Sequence, residues 1–578
     1  MKLLEALEIA NRTRTEHSPS NVFKLACGFS ALHLRTFLKA HLQARIPKKS
    51  VEVTTGLYGD LAGTLERAAV EPSDGVVTIV EWADLDPRLG IRQLGGWQPE
   101  LFPEILSTVG KALERLEAAL GRVATSCSVA LALPTLPLLP VDLPAGWQNG
   151  TFGLELQQII AGFAVRISRT KGVSVLNSSR LDSASPLLGR RDAKSELTTG
   201  FPYQLDHADK LADLLAALMV PTDPKKGLIT DLDDTCWRGV LGEVGVEGIS
   251  WDLEGQGQVH GVYQQFLHAL SRRGVLVAIA SKNDPLLVHE AFQRPDIPLR
   301  VDSVFPIEAN WRPKSESIAR ILRAWNISAD AVAYVDDSPL ELAEVKAAHP
   351  DLECILFPKN SAVKAIELLE HLRDLFGKPS LFEEDRIRSA SIRNGGAFES
   401  NGPTSIDSYE QVLRQANATI NLHVKARGDD RRAFELIDKT NQFNLNGRRY
   451  SEAEWRDYFR QDDVVLLTAS YRDKFGPLGE ICALLGHKLT NRRFIVDSWV
   501  MSCRAFSRRI EYGCLSYIFK QFEPTSILLD WARTSRNGPL CEFLGGFGRL
   551  RAPFCLSRER FDAVCPPLFH LVEASVDE

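Results

Sequence analysis

Short apolar runs alternate with helical patterns along the first 220 residues of the chain. The runs are typical of buried strands, and they are NVFKLACGFS (21–30), VEVTTG (51–56), GVVTIVEW (75–82), SVALALP (128–134) and VSVLNSS (173–179). Between them, apolar residues recur at helical spacing over 31–43, 101–120 and 154–168. This alternation predicts a parallel sheet with helices on both faces.

The pattern changes twice further along the chain. PTDPKK (221–226) precedes a second strand–helix series that runs from Gly227 to about Pro358. After a polar stretch that contains Gly and Ser, strands dominate, and they are predicted at 418–424, 464–473 and 494–502. We therefore predict an α/β multidomain chain with domains at 1–224, 225–377 and 409–578, a linker at 378–408, and an α+β fold in the last domain.

The composition fits several folded units in a globular protein. The chain has 578 residues, of which 44% are apolar and 25% charged, and its net charge is −6. The negative charge argues against nucleic-acid or anionic-membrane partners. The longest apolar stretch, 128–140, is shorter than the ~18 residues of a membrane span and contains prolines. The N-terminus is not a secretory signal, and ten cysteines without a CxxC pair fit reduced thiols, so we expect a cytoplasmic protein.

Polar residues that could take part in catalysis follow or end the strands of the second series. Asp231 and Asp233 follow the apolar run GLIT, Ser281 ends the run VLVAIAS, and Asp336 follows the run VAYV. Lys314 begins a helical pattern. Because the carboxyl ends of parallel strands meet in one crevice, we expect these side chains to share a site.

Each of these residue types suits phosphoryl transfer. Of two carboxylates at i and i+2, one attacks phosphorus as a nucleophile and the other moves protons, here Asp231 and Asp233. Asp336 adds an oxygen ligand for Mg²⁺. Ser281 and Lys314 supply a hydroxyl and an ammonium to the phosphoryl oxygens.

A single Asp-x-Asp motif is weak evidence, because Asp favours turns, but four elements in order are specific. The arrangement resembles the haloacid-dehalogenase phosphotransferase superfamily, which implies a Rossmann-like domain with Mg²⁺ on Asp231, on the backbone carbonyl of Asp233 and on Asp336. We assign three further residues to phosphate binding, namely Thr235, Lys282 and Asn283. The short intervals between the motifs leave no room for a large lid, so this domain is predicted to be capless.

A more specific resemblance covers roughly residues 225–550. DLDDTCWRGVLGEVG (231–245), NWRPKSESI (310–318), TNQFNLNGRRY (440–450), MSCRAFSRRIE (501–511) and TSRNGPLCEFLGGFG (534–548) resemble the FkbH-like glyceryl transferase/phosphatase family. Membership implies an enzyme that takes 1,3-bisphosphoglycerate and carries the acyl unit as a thioester. It removes phosphate and loads glyceryl onto the phosphopantetheine arm of an acyl carrier protein, as a polyketide building block.

The resemblance places the acyl-accepting thiol at Cys503. Arg504, which follows it, fits two roles, lowering the pKa of that thiol or binding a substrate phosphate. A thiolate is well suited to accept an acyl group from an acyl phosphate. By residue type alone, Cys503 also fits a buried core cysteine. Cys236, beside the phosphoryl site, is the rival thiol, and a packing role for it is favoured.

The two flanking domains resemble further families. The C-terminal domain is similar to GNAT acyltransferases, but its run 503–513 lacks the Gly-rich turn that would bind the coenzyme A pyrophosphate, which favours a carrier-protein arm as ligand. There Asn441, Gln442 and Asn444 fit acyl binding or loop capping equally. The N-terminal domain resembles SGNH hydrolases and flavodoxin-like doubly wound sheets. Ser30 stands at the nucleophile position, but no Asp-x-x-His pattern accompanies it, so we predict a helix cap at Ser30 and a non-catalytic domain.

Two other functions stay open from the sequence. One is a phosphatase acting on a small metabolite without a thioester step. The other is a non-catalytic scaffold that docks carrier proteins.

Overall fold

The computed structural model describes residues 1–11, 20–47, 49–142, 144–378, 410, 413–425, 430–440, 443–461, 463–474, 476–489, 492–502, 505, 508–534 and 537–576. The chain forms two compact units, one of Met1–Thr222 with Ser451–Glu454 and one of Asp223–Tyr450 with Trp455–Glu578. Of the predicted linker 378–408, only Lys378 lies among the described residues. In the described ranges, no helix is both long and apolar enough to cross a membrane.

The first unit is built on a five-stranded parallel sheet in the order β2-β1-β3-β4-β5. Its strands are β1 (Ser20–Ala26), β2 (Ser50–Thr55), β3 (Gly75–Ile79), β4 (Ser128–Ala132) and β5 (Val173–Val175). Its helices are α1 (Leu3–Asn11), α2 (Leu32–Arg45), α3 (Leu61–Ala68), α4 (Trp82–Leu85), α5 (Phe102–Ala124), α6 (Thr151–Ile167), α7 (Ser178–Ala184), α8 (Ala193–Thr199) and α9 (Leu205–Met219). The predicted parallel sheet is confirmed. The buried residues form one apolar cluster on each face of it.

The second unit begins with another parallel sheet, in the order β10-β9-β6-β7-β8. Its strands are β6 (Gly227–Thr230), β7 (Leu276–Ser281), β8 (Ile307–Ala309), β9 (Val332–Asp336) and β10 (Glu353–Leu356). Its helices are α10 (Leu241–Val244), α11 (Gln258–Arg272), α12 (Pro285–Ala291), α13 (Lys314–Trp325), α14 (Pro339–Ala348) and α15 (Ala362–Phe376). Every residue of β6, β7 and β9 is buried, which explains why these strands read as continuous apolar runs.

The remainder of the second unit contains a mixed eight-stranded sheet in the order β17-β16-β15-β14-β13-β11-β18, with β12 paired to β15. Its strands are β11 (Thr419–Lys425), β12 (Phe443–Asn444), β13 (Val464–Asp473), β14 (Gly476–Leu489), β15 (Arg493–Met501), β16 (Ser526–Leu529), β17 (Phe554–Ser557) and β18 (Leu571–Val576). Its helices are α16 (Arg431–Lys439), α17 (Glu452–Tyr458), α18 (Ile510–Gln521), α19 (Gly538–Gly545) and α20 (Arg558–Val564). The predicted strands at 418–424, 464–473 and 494–502 are present. The pattern missed β14, because its glycines at 476, 479 and 486 interrupt the apolar run.

Candidate active site

Asp231 and Asp336 lie side by side at the carboxyl edge of the second unit's parallel sheet. Thr230 pairs in register with Val335, and the N–H of Asp231 donates a hydrogen bond to the carbonyl of Val335 at 3.0 Å. On the other side of β6, β7 ends at Ser281. The ends of these three strands therefore meet at one edge, as the sequence predicted.

Lys314 links the two carboxylates. It is the first residue of α13, is 4% exposed, and its ammonium lies 2.5 Å from Oδ2 of Asp336 and 3.0 Å from Oδ1 of Asp231. Asp336 also accepts hydrogen bonds from the Tyr334 hydroxyl and from the backbone N–H of Ser338, the latter at 2.8 Å. Asp336 is thus fixed by three donors, whereas Oδ1 of Asp231 accepts no hydrogen bond within the described residues and faces Lys314 only as an ion pair.

Burial and neighbouring charges shift the pKa values of Asp231 and Lys314 in opposite directions. Burial raises the pKa of Asp231, and the Lys314 ammonium opposes that rise. Burial lowers the pKa of Lys314, but the carboxylates of Asp231 and Asp336 more than offset this, so the net direction is upward. Lys314 therefore stays charged at neutral pH and opposes protonation of Asp231, whose pKa burial nevertheless raises to about 7.

Asp337 completes a cluster of three carboxyl groups. One oxygen from each of Asp231, Asp336 and Asp337 can lie within 4.8 Å of the others. Carboxylate oxygens are the ligands that Mg²⁺ prefers, and the Asp231 oxygen without a hydrogen bond is available to a cation. The residues present therefore fit a Mg²⁺ ion, with Asp337 in addition to the predicted Asp231 and Asp336.

The carboxyl group of Asp233 stands apart from this cluster. Its Oδ1 accepts hydrogen bonds from the indole N–H of Trp237 at 2.9 Å and from the N–H of Leu241 at 3.2 Å. Burial raises its pKa, and hydrogen bonds from Trp237, Leu241 and the Asn283 side chain oppose the rise. A carboxyl group with a raised pKa suits proton transfer.

The remaining predicted phosphate-binding residues divide into two sets. Ser281 and Asn283 are both buried, and the Asn283 amide donates to the Ser281 hydroxyl at 3.0 Å. The hydroxyl of Thr235 is buried and accepts the N–H of Asp337 at 3.1 Å, whereas the exposed Lys282 pairs with Glu341 at 2.8 Å. Ser281 and Asn283 thus lie beside Asp233, whereas Thr235 and Lys282 contact the loop and helix after β9.

The loop after β6 is tightly wound. The carbonyl of Leu232 accepts hydrogen bonds from the N–H groups of Thr235, Cys236 and Trp237, and Asp234 has a φ of 50°. From α11, His260 contacts the carbonyl of Thr235 at 3.0 Å. This winding turns Asp231 and Asp233 to different surroundings, although they are only two residues apart.

Three functional residues escaped the sequence analysis. Tyr334 was hidden inside an apolar strand, and Asp337 was not singled out beside Asp336. Lys359, shortly after β10, pairs with Asp234 at 2.8 Å and with Asp337 at 2.7 Å. Its position after a strand end was the one signal in the sequence that could have identified it.

The thiol assignment remains a prediction, because Cys503 and Arg504 lie outside the described residues. The rival thiol, Cys236, is 1% exposed and belongs to the apolar core of its domain. Burial also raises its pKa, so Cys236 is a protonated packing residue and a poor nucleophile.

In the first unit, Ser30 and His207 do not form a Ser–His pair. The prediction that Ser30 caps a helix is wrong, because α2 begins at Leu32 with Ala31 as its cap residue. His207 is buried, with one ring nitrogen 3.1 Å from the Thr135 hydroxyl and the other 2.9 Å from the Ser185 hydroxyl. Both nitrogens are therefore occupied, and His207 cannot serve Ser30 as a base.

In the C-terminal sheet, Asn444 closes a loop. Its amide donates to the carbonyl of Thr440 at 2.8 Å, and its oxygen accepts the N–H groups of Asn446 at 3.2 Å and Gly447 at 2.6 Å. Asn441 and Gln442 lie outside the described residues. Of the two roles predicted for Asn444, loop capping is the one that its contacts show.

Neither a protein-family profile nor a curated protein matches the chain. Among solved structures, it is similar to the N-terminal part of the protein BF1531 from Bacteroides fragilis, which contains a phosphatase domain and is complexed with Mg. The identity is 20%, the match covers 66% of this chain and 100% of that chain, and the TM-score is 0.49. It is also similar to the salicylyl-acyltransferase SsfX3 from a tetracycline biosynthetic pathway, at 14% identity over 36% of this chain and 57% of that chain, with a TM-score of 0.22. At these TM-scores, neither similarity establishes a fold or an activity for this chain.

Proposed function

We propose that the Asp231 site performs Mg²⁺-dependent phosphoryl transfer of the haloacid-dehalogenase type. The observation that carries this proposal is the buried cluster in which the Lys314 ammonium lies within 3.0 Å of Asp231 and 2.5 Å of Asp336, with Asp337 beside them. Three carboxylates and one ammonium at a sheet edge suit a cation and a phosphoryl group together.

The roles follow from the surroundings of each side chain. An oxygen of Asp231 attacks phosphorus while the bond from phosphorus to the leaving oxygen breaks, and the carboxylic acid of Asp233 gives that oxygen its proton. Water then attacks the phosphorus of the aspartyl phosphate, Asp233 takes the proton from this water, and inorganic phosphate leaves with the Asp231 carboxylate restored. Lys314 and Ser281 hold the phosphoryl oxygens.

Asp231, Asp336 and Asp337 would hold the Mg²⁺ ion. When bound, it supplies positive charge that neutralises the phosphoryl oxygens. The two carboxyl groups of the motif can then differ in role, because Asp233 is bound to Trp237 and Leu241 and lies outside the carboxylate cluster.

Phosphate release from p-nitrophenyl phosphate tests this site directly. We expect release that needs Mg²⁺, is lost on chelation, and falls to background in Asp231→Asn, because an amide is no nucleophile toward phosphorus. Asp351→Asn, an exposed acidic residue of the same sheet domain, is the matched control and should keep wild-type activity. Equal activity in Asp231→Asn and wild type would refute the assignment.

We further propose that the chain couples this site to glyceryl transfer. In this scheme a thiolate of the enzyme attacks the acyl carbon of 1,3-bisphosphoglycerate and the 1-phosphate leaves, after which the 3-phosphate is hydrolysed. The glyceryl unit then passes to the phosphopantetheine thiol of an acyl carrier protein, which frees the enzyme thiol. The motif resemblance over roughly residues 225–550 supports this step, and it assigns the thiol to Cys503.

Intact-mass spectrometry tests the coupling. A phosphopantetheinylated carrier is incubated with enzyme, Mg²⁺ and freshly generated 1,3-bisphosphoglycerate, and we expect the carrier to gain the mass of a glyceryl group. Cys503→Ala should lose this gain, whereas Cys236→Ala, which removes a buried thiol, should retain it in the folded protein. Phosphate release with an unmodified carrier in every variant would favour a small-metabolite phosphatase instead.

A further inference from the structure

A cavity of about 520 Å³ opens at the carboxyl edge of the first unit's sheet. Loops that follow β1, β2 and β3 line it, and the sheet order β2-β1-β3 makes β1 the strand at which the chain switches direction across the sheet. Ligands of open α/β sheets bind at such switch points, and the volume is that of a site for a small molecule. The cavity thus has the position and size of a binding site.

One wall of the cavity is apolar and fixed in place. It includes Leu61, Trp82, Leu89 and Leu116, all of which are buried. The indole N–H of Trp82 donates to the carbonyl of Leu136 at 2.9 Å, so the ring is held against the cavity. This wall suits an apolar segment of a ligand.

The polar part of the lining contains two buried atoms that lack a hydrogen bond. Within the described residues, Nη1 of Arg191 donates no hydrogen bond and Oε2 of Glu196 accepts none. The two atoms lie 3.7 Å apart, which is too long for a hydrogen bond. Glu196 is 7% exposed. The two groups form an ion pair, but neither of these buried atoms has a hydrogen bond, so a ligand group that lies between them would satisfy both.

The other charged groups of the lining already have partners. Arg92 donates to the carbonyl of Glu196 at 2.7 Å, and Arg115 pairs with Glu66 at 3.3 Å. Glu81 accepts the hydroxyl of Tyr203 at 2.7 Å and that of Thr135 at 2.5 Å.

Arg191 and Glu196, here called the open pair because the two buried atoms lack a hydrogen bond, restrict the chemistry of the ligand. A group that bridges Arg191 and Glu196 must accept a hydrogen bond from the guanidinium and donate one to the carboxylate. Hydroxyl and amide groups do both, whereas a phosphate or carboxylate would face Glu196 with like charge. Neither Ser30 nor His207 is among the residues that line the cavity.

We infer that this cavity binds a neutral hydroxy-amide with an apolar flank, of the pantetheine type, through Arg191 and Glu196. The choice of pantetheine rests on the proposed function, in which a pantetheine arm delivers the acceptor thiol. The cavity, the open polar pair and the apolar wall do not depend on that proposal.

Calorimetric titration of the full-length protein with pantetheine tests the inference. We expect saturable binding that weakens roughly tenfold or more in Glu196→Ala, which removes a charged acceptor, and in Ala112→Trp, which fills the cavity. Lys111→Ala, an exposed residue on the same helix as Ala112, is the matched control and should bind as wild type does. Circular dichroism melting confirms that each variant is folded.

Three results would overturn the inference: no binding by wild type, equal binding by folded Glu196→Ala and Ala112→Trp, or tighter binding of inorganic phosphate than of pantetheine. Asp231→Asn separates this inference from the proposed function. It should bind pantetheine normally while lacking phosphate release, so the two proposals can fail independently.

Discussion

Lys359 and Asp337 form an ion pair of 2.7 Å, although Lys359 follows β10 and Asp337 follows the neighbouring strand β9. The same ammonium lies 2.8 Å from Asp234 in the loop after β6. Lys359 thus joins two loops of the site, and it occupies a carboxylate that is also a candidate Mg²⁺ ligand.

This pairing predicts that Lys359 competes with the cation. Lys359→Met should tighten Mg²⁺ binding by up to roughly 5-fold, because a partly exposed ion pair is worth up to about 1 kcal/mol. Calorimetric titration with Mg²⁺ measures the change, and the exposed Lys364→Met on α15 is the control. Weaker Mg²⁺ binding in Lys359→Met would mean that Lys359 positions Asp337 for the ion instead.

Because the Asp233 side chain lies apart from the carboxylate cluster, we expect its substitution to lower turnover without weakening Mg²⁺ binding. Asp233→Asn should lower kcat for phosphate release by roughly 10²- to 10⁴-fold, the usual contribution of a positioned acid–base group. Its Mg²⁺ affinity should stay close to that of wild type, because the Asp233 side chain binds Trp237 and Leu241. Steady-state kinetics at several Mg²⁺ concentrations would reveal a metal-binding role if added Mg²⁺ restored the rate.

The buried His207 predicts a pH dependence of stability. Burial lowers its pKa to about 3, and the nearby Arg190 guanidinium acts in the same direction. In the unfolded chain a histidine titrates near 6.5, so the folded state binds fewer protons between these values. Its contribution to stability is present above about pH 6.5 and is lost as the pH falls toward 3.

Urea unfolding from pH 7.5 to pH 4.5 measures this effect. The free energy of unfolding should fall more steeply with decreasing pH in wild type than in His207→Gln, by up to about 1.4 kcal/mol per pH unit. His289→Gln, an exposed histidine on α12, should keep the wild-type slope. Parallel curves for wild type and His207→Gln would show that His207 is not a neutral buried group.

The surroundings of two glycines in the first unit predict opposite effects of Gly→Ala substitutions on stability. A Cβ atom at Gly28 would lie 1.7 Å from Oδ1 of Asp84, so Gly28→Ala should destabilise the protein by roughly 1–3 kcal/mol. At Gly110 in α5, no heavy atom outside its chain neighbours and the helix's own backbone lies within 4 Å of an added Cβ, so Ala should stabilise the helix by up to about 1 kcal/mol. Chemical denaturation measures whether the free energy of unfolding falls in Gly28→Ala and rises in Gly110→Ala. An unchanged value in Gly28→Ala would show that Asp84 moves aside.

The pattern of apolar residues determined most of the two parallel sheets. Strands such as β6, β7 and β9 are buried along their whole length, so each reads as an apolar run, and the polar residue that follows marks the carboxyl edge. Asp231, Ser281 and Asp336 could therefore be placed at one edge from the sequence. The mixed sheet was predicted less completely, because the glycines of β14 obscured its pattern.

Only the tertiary structure decided which polar side chains meet. Lys314 lies 83 positions after Asp231 in the chain and Lys359 lies 22 after Asp337, and neither pairing leaves a periodic signal in the sequence. The same holds for His207, whose partners Thr135 and Ser185 come from separate segments. Burial of a strand is a local property that repeats along the chain, whereas a side-chain contact depends on how distant segments pack. For that reason the sequence located the edge of the candidate site, and the fold determined that Asp231 faces Lys314 and a candidate cation site while Asp233 faces Trp237.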